Sequence, residues 1–85
     1  MSDVYLLMTF HSTYLVLECE RLLKEAQIEV ELIPVPRVIS ASCGTAARFN
    51  EADLVQVKSI CQSNHLEFEQ IYRISAEQKE PIEVE

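Results

Sequence analysis

Val4-Tyr5-Leu6-Leu7-Met8-Thr9-Phe10 is a bounded apolar run rich in strand formers, and Val4 to Met8 is the longest uninterrupted apolar stretch in the chain. With no polar alternation it reads as a central strand covered on both faces. Ser12 follows as a helix N-cap, and Leu15, Cys19, Leu22, Leu23 and Ala26 recur at helical spacing with Glu18, Glu20, Arg21, Lys24 and Glu25 turned outward. From Ile28 the period changes to two, with Val30, Leu32 and Pro34 on one face and Glu29 and Glu31 on the other. Pro34 and Pro36 mark this second strand as an edge, because proline cannot donate to a ladder. Residues 37–44 have no period and read as a loop. Thr45 to Phe49 forms a short third strand, and Asn50 caps a second helix whose stripe is Leu54, Val57, Ile60 and Cys61. Leu66, Phe68, Tyr72 and Ile74 then alternate with Glu67, Glu69 and Arg73 as a fourth strand.

The order β-α-β-β-α-β predicts an α+β domain of the ferredoxin-like split βαβ type, with both helices on one face of a four-stranded antiparallel sheet. An open α/β fragment is the rival. Residues 1–76 form this single domain, and residues 77–85 are an acidic tail expected to be disordered. In such a plait the first and third strands are central neighbours. The end of the first strand and the loop between the second and third therefore emerge at one sheet edge, which brings His11 and Ser12 toward Cys43.

Composition narrows the function classes. At 85 residues folding buries only about 60–65% of the unfolded chain's surface, leaving little room for an enclosed multi-substrate cleft. Fourteen acidic against seven basic residues give a net charge of −7, which repels phosphodiester backbones, so nucleic acid is not an expected partner. No apolar run approaches the roughly 20 residues that span a bilayer, so the chain reads as soluble and cytoplasmic, without a membrane partner. Three cysteines and no signal peptide argue for free thiols in a reducing compartment. A single glycine excludes phosphate-binding loops that need several. No cofactor or metal is expected: Cys61 and His65 share a helical spacing, but two ligands do not make a zinc site.

Cys43 is the most informative residue in the chain. Cys19 and Cys61 sit on apolar helical stripes as small hydrophobes, whereas Cys43 stands beside Gly44 among small polar residues, after Ser40 and Ser42 and between Arg37 and Arg48. Positive charge or a helix N-terminus favours the nucleophilic thiolate. The expectation is an exposed Cys43 held partly as thiolate by Arg37 or Arg48 and by the first helix's N-terminus, with His11 and Ser12 nearby. Gly44 would add positive-φ freedom and leave space for an electrophile. The bland alternative is a tight Ser-Cys-Gly turn.

The run Ile33-Pro34-Val35-Pro36-Arg37-Val38-Ile39-Ser40-Ala41-Ser42-Cys43-Gly44, followed by Ala47-Arg48-Phe49, resembles the signature of a small bacterial family of selenium/sulfur carrier-like proteins. Phe10 and Ser12 match the family's strand end and helix start, and the resemblance covers roughly residues 4 to 74. It implies that Cys43 is the functional cysteine and that Pro36, Arg37, Ser40 and Gly44 shape its loop. The implied activity is carriage of sulfur or selenium on Cys43 as a persulfide or selenosulfide rather than enzymatic turnover. A cysteine desulfurase or selenium-activating enzyme would be the donor, and a homodimer stays open. Two other readings remain: an interaction or ligand-sensing module, marked by a buried Cys43 with an apolar patch elsewhere, and a thiol redox regulator, which needs a resolving cysteine near Cys43.

Overall fold

A computed structural model describes residues 4–76 and 81–84. The chain runs β1 (Val4–Thr9), α1 (Thr13–Glu25), β2 (Val30–Pro34), β3 (Thr45–Phe49), a 3-10 turn (Glu51–Asp53), α2 (Leu54–Ser63), β4 (Gln70–Ser75) and β5 (Ile82–Glu83). All five strands join one antiparallel sheet in the order β2-β3-β1-β4-β5. The molecule is thus α+β with two helices, but the expected four strands become five. The extra strand comes from the stretch read as a disordered tail: Ile82 pairs with Arg73, Glu83 with Tyr72, and the Val84 N–H donates to the Ile71 carbonyl at 3.0 Å. The same expectation for residues 77–80 and 85 lies outside the described residues.

The apolar run at the start behaves as its lack of alternation requires, since Leu6, Leu7, Met8 and Thr9 are all fully buried. Leu6 and Met8 point to the helix side, where they join Ala47, Phe49 and Ile71 beneath Val16, Cys19 and Leu23 of α1 and Val57 and Cys61 of α2. Leu7 points the other way, into a smaller cluster with Ala46 and Ile39, backed by Ile33, Val35, Ala41, Tyr72 and Ile74. Among the described residues no second helical layer covers that face. The β2–β3 loop does so, folding back across the sheet with Ile39 as its plug.

Both helices end in the same way. At α1, Gln27 takes φ 62°, its N–H bonds the Lys24 carbonyl, and the N–H of buried Ile28 bonds the Leu23 carbonyl at 2.9 Å. At α2, His65 takes φ 54°, its N–H bonds the Gln62 carbonyl, and the N–H of buried Leu66 bonds the Cys61 carbonyl at 2.8 Å. These are Schellman caps with an apolar residue docked just past the turn. The second cap corrects the reading of Leu66 and Phe68 as strand residues: Leu66 closes α2, and β4 starts only at Gln70. Asn50 does precede the second helix, but it opens the 3-10 turn and its side chain caps nothing. Val16, absent from the expected α1 stripe, is fully buried.

A side chain in the left-handed region costs about 1–2 kcal/mol that glycine does not. His65→Gly should therefore raise the free energy of unfolding by about 0.5–1 kcal/mol, after the larger entropy loss of glycine is set against it. His65→Val should lower it; urea denaturation of the two variants checks both signs.

Candidate functional site

The site is assembled by the register of β1. Thr9, the last residue of this strand, lies opposite Ala46 of β3 on one side and Gln70 of β4 on the other. The residues before β3 and before β4 must then flank the turn from β1 into α1. Those residues are Ser42, Cys43 and Gly44 on one side and Glu69 on the other, with His11, Ser12 and Thr13 between them. Backbone contacts pin the junction: the Glu69 N–H donates to the Thr9 carbonyl at 2.7 Å, the buried Thr9 hydroxyl to the Gln70 carbonyl at 3.3 Å, and the Val35 N–H to the Gly44 carbonyl at 2.9 Å.

Cys43 reaches the N-terminus of α1, as the plait geometry anticipates. Its Sγ lies 3.5 Å from the hydroxyl Oγ1 of Thr13, the first residue of that helix. Ser12 is the N-cap, with extended backbone (φ −148°, ψ 160°) and a side chain accepting the Leu15 N–H at 3.4 Å. The expected exposure of Cys43 is corrected, because the residue is only 7% exposed. Ile39, held in the second-face cluster, draws the loop down onto the sheet, and the Thr13 hydroxyl lies against the sulfur.

The arginines are placed differently from expectation. Arg48 binds Glu31 on the neighbouring strand at 2.9 Å and stacks over the Tyr5 ring with 5.0 Å to its centroid. Its backbone sits three residues beyond the start of β3, roughly 10 Å farther from Cys43 at the rise of a strand. It serves the sheet face. Arg37 is exposed on the turn in which the Ile39 N–H donates to the Pro36 carbonyl at 3.0 Å, and among the described residues it has no ion-pair partner. Ser40 lies on the outer side of the loop, lining an open groove of about 640 Å³ with Val38, Ile39, Tyr72, Pro81 and Glu83. Gly44 does not use positive φ, and a Cβ built on it meets nothing within 4 Å. The conformational argument for this glycine therefore falls, and what is open is the space its own side chain would take.

Glu69 is the site residue that sequence reasoning missed. Its carboxylate accepts the Ser42 hydroxyl at 2.7 Å and the Ser42 N–H at 3.1 Å, and His11 Nδ1 approaches to 3.5 Å. The two Ser42 donors, with a smaller contribution from His11, hold the Glu69 carboxyl below its ordinary value of 4.5. Ser42 immediately precedes Cys43, so this bidentate contact anchors the cysteine's loop to the start of β4. Thr13 was missed as well, since in the sequence it is only a helix position after the N-cap. Neither residue carries a local signal. Their meeting depends on the double register at Thr9.

Cys19 and Cys61 are 0% and 2% exposed, on the helix side of the sheet. Among the described residues no group of three or more His, Cys, Asp or Glu side chains is arranged to hold a metal ion. No described helix is long and apolar enough to cross a membrane.

Residues 5–73, which include the whole Cys43 loop and its partners, match the model of the family described as "Putative Se/S carrier protein-like". The chain belongs to this family. No curated protein and no solved structure matches it significantly. In this chain Cys43 meets Thr13, and the preceding Ser42 is held by Glu69; neither contact involves Arg37 or Arg48.

Because the Glu69 carboxyl is depressed by folding, its contribution is present above the unfolded carboxylate value and lost as pH falls through the lower folded value. Glu69→Ala should make Cys43 react several-fold faster than wild type with a pyridyl disulfide, a reagent that also attacks protonated thiols. The difference should narrow as pH drops below 4.5. Equal rates for the two proteins at neutral pH would show that the Ser42 contact does not hold the loop.

Proposed function

We propose that this protein carries sulfur or selenium on Cys43. The observation that bears most weight is the placement of Cys43, inside the span that matches the family, at the first turn of α1, against the Thr13 hydroxyl. Two segments distant in sequence are brought together to hold one sulfur where the helix end offers partial positive charge. Reading the first four strands and two helices as a ferredoxin-like plait, with β5 as an added edge strand, accounts for that meeting.

The chemistry asks little of the fold. In loading, the Cys43 sulfur attacks the outer sulfur of a donor's persulfide. The donor's S–S bond breaks, its cysteine leaves as thiolate, and a persulfide forms on Cys43. In delivery, an acceptor nucleophile attacks the outer sulfur and Cys43 leaves as thiolate. Two-electron transfers of this kind need no external oxidant, and selenium follows the same course through a selenosulfide. Activation of the chalcogen would belong to the donor, a cysteine desulfurase or selenium-activating enzyme of the cytoplasm. The residues needed are an accessible sulfur and a local stabiliser of its anion. Access requires the loop to lift, since Cys43 is covered in the closed arrangement.

The burial of Cys43 favours a second reading, an interaction module in which the cysteine is only a packing residue. Exposed apolar side chains go with it: Tyr14 on α1, Val38 on the loop and Val55 on α2. Loading separates the two. After incubation with a cysteine desulfurase and cysteine, intact-mass analysis should show wild type gaining one sulfur, Cys43→Ser gaining none, and Thr13→Val loading more slowly. Absence of any Cys43-dependent gain would leave the interaction reading.

A further inference from the structure

The groove that Ser40 lines lies on the face of the sheet away from both helices. Its walls come from segments far apart in sequence: Val38, Ile39 and Ser40 of the β2–β3 loop on one side, and Tyr72 of β4 with Pro81 and Glu83 on the other. Register decides which side chains face it. Ile71 joins the helix-side core and Tyr72 the opposite cluster, while Tyr72 pairs with Glu83 and Arg73 with Ile82. Directly opposed residues of an antiparallel ladder share a face, about 5 Å apart, so Glu83 projects beside Tyr72. Arg73 falls on the helix side, where it binds Glu51 at 2.9 Å.

Three polar groups in this one space have no hydrogen-bond partner among the described residues: the Ser40 hydroxyl, the Tyr72 hydroxyl and the Glu83 carboxylate. Glu83 is the only charged residue in the lining, and Arg37, one position before Val38, is exposed outside it. Burial, with the Glu83 and Glu69 carboxylates, pushes Tyr72 above the ordinary phenol value, so at neutral pH it is an uncharged hydroxyl. Val38, Ile39 and Pro81 supply apolar wall, and a volume of about 640 Å³ suits a small organic molecule. One anion, two neutral hydroxyls and apolar walls complement a positive head on an apolar body.

We propose that this groove binds a small primary amine with an apolar body, its ammonium set among Glu83, Ser40 and Tyr72 and its body against Val38, Ile39 and Pro81. An ammonium carries three N–H donors, and the groove leaves three acceptors unused. Occupancy joins the loop to β4 and β5, so the bound amine favours the closed arrangement in which Cys43 is covered. None of this rests on chalcogen carriage.

The test titrates the full chain with phenethylamine, follows backbone amides by NMR, and measures the reaction of Cys43 with a pyridyl disulfide in the same samples. The expected result is saturable shifts at Ile39, Ser40, Tyr72 and Glu83 and a several-fold slower Cys43 reaction at saturation. Ethylamine, which lacks the apolar body, should bind at least about tenfold more weakly, and phenylpropionate, of opposite charge, should not bind. Glu83→Gln should weaken phenethylamine binding about two- to fivefold, whereas Glu83→Asp keeps the carboxylate and most of the affinity. The Val84 amide, which bonds the Ile71 carbonyl, reports that β5 stays paired in each variant, and Ser40→Ala weakens binding from the opposite wall. The proposal is overturned if ethylamine and phenethylamine cause equal shifts spread over the acidic face of α1, the mark of diffuse attraction to a chain of net charge −7. It is also overturned if phenylpropionate binds as well, or if saturation leaves the Cys43 rate unchanged. No sulfur donor enters these measurements, so failure of Cys43 to load leaves this site standing, and the reverse holds.

Discussion

The double pairing of Thr9 is the constraint on which the molecule turns. A central strand has both its edges committed, so its last residue fixes where two other strands begin. Here that one position aligns Ala46 and Gln70 at the same level, and whatever precedes each must crowd around the turn into α1. Thr9 is fully buried, and its hydroxyl and carbonyl are both used to hold the start of β4. A shift of one residue in either ladder would exchange the faces of all the paired side chains. It would also separate Cys43 from Thr13 and Ser42 from Glu69.

A chain this short meets the cost of a two-sided sheet by economy of material. One face has two helices; the other has a loop that buries Ile39 against the sheet. The same segment therefore closes the core and carries Cys43. Coupling of this sort makes movement at Cys43 a matter of local stability, because lifting the loop exposes apolar surface as well as sulfur. The Glu69 contact with Ser42 adds a polar restraint close to the cysteine, at the end of the loop opposite the turn at Pro36.

The parts of the structure written in local patterns were legible in the sequence. The unbroken apolar run of β1, the stripe of α1 after Ser12 and the switch to period two at β2 each show their burial directly, and the proximity of Cys43 to Ser12 followed from strand order. What failed did so for reasons beyond local pattern. The alternation of Leu66 and Phe68 imitates a strand, but His65 adopts left-handed backbone and folds Leu66 back onto α2. Two arginines flanking a cysteine in sequence suggest a positive site, but Arg48 projects from a strand toward Glu31 and Tyr5. Glu69 looked like one more solvated acid because its partner, Ser42, lies 27 positions away. The short pairing of Ile82–Glu83 carries too few residues to show a period at all.

The two rims of the sheet share a property with consequences for self-association. An open rim offers unpaired amide and carbonyl groups to any passing extended chain, the first step of many fibrillar assemblies. In this protein one rim is β2, interrupted by Pro34 and charged at Glu31, and the other is β5, only two residues long and half of it Glu83. Neither makes a good template for strand addition. A chain with a net charge of −7 adds mutual repulsion between copies, so charge and blunted rims act together against polymerisation.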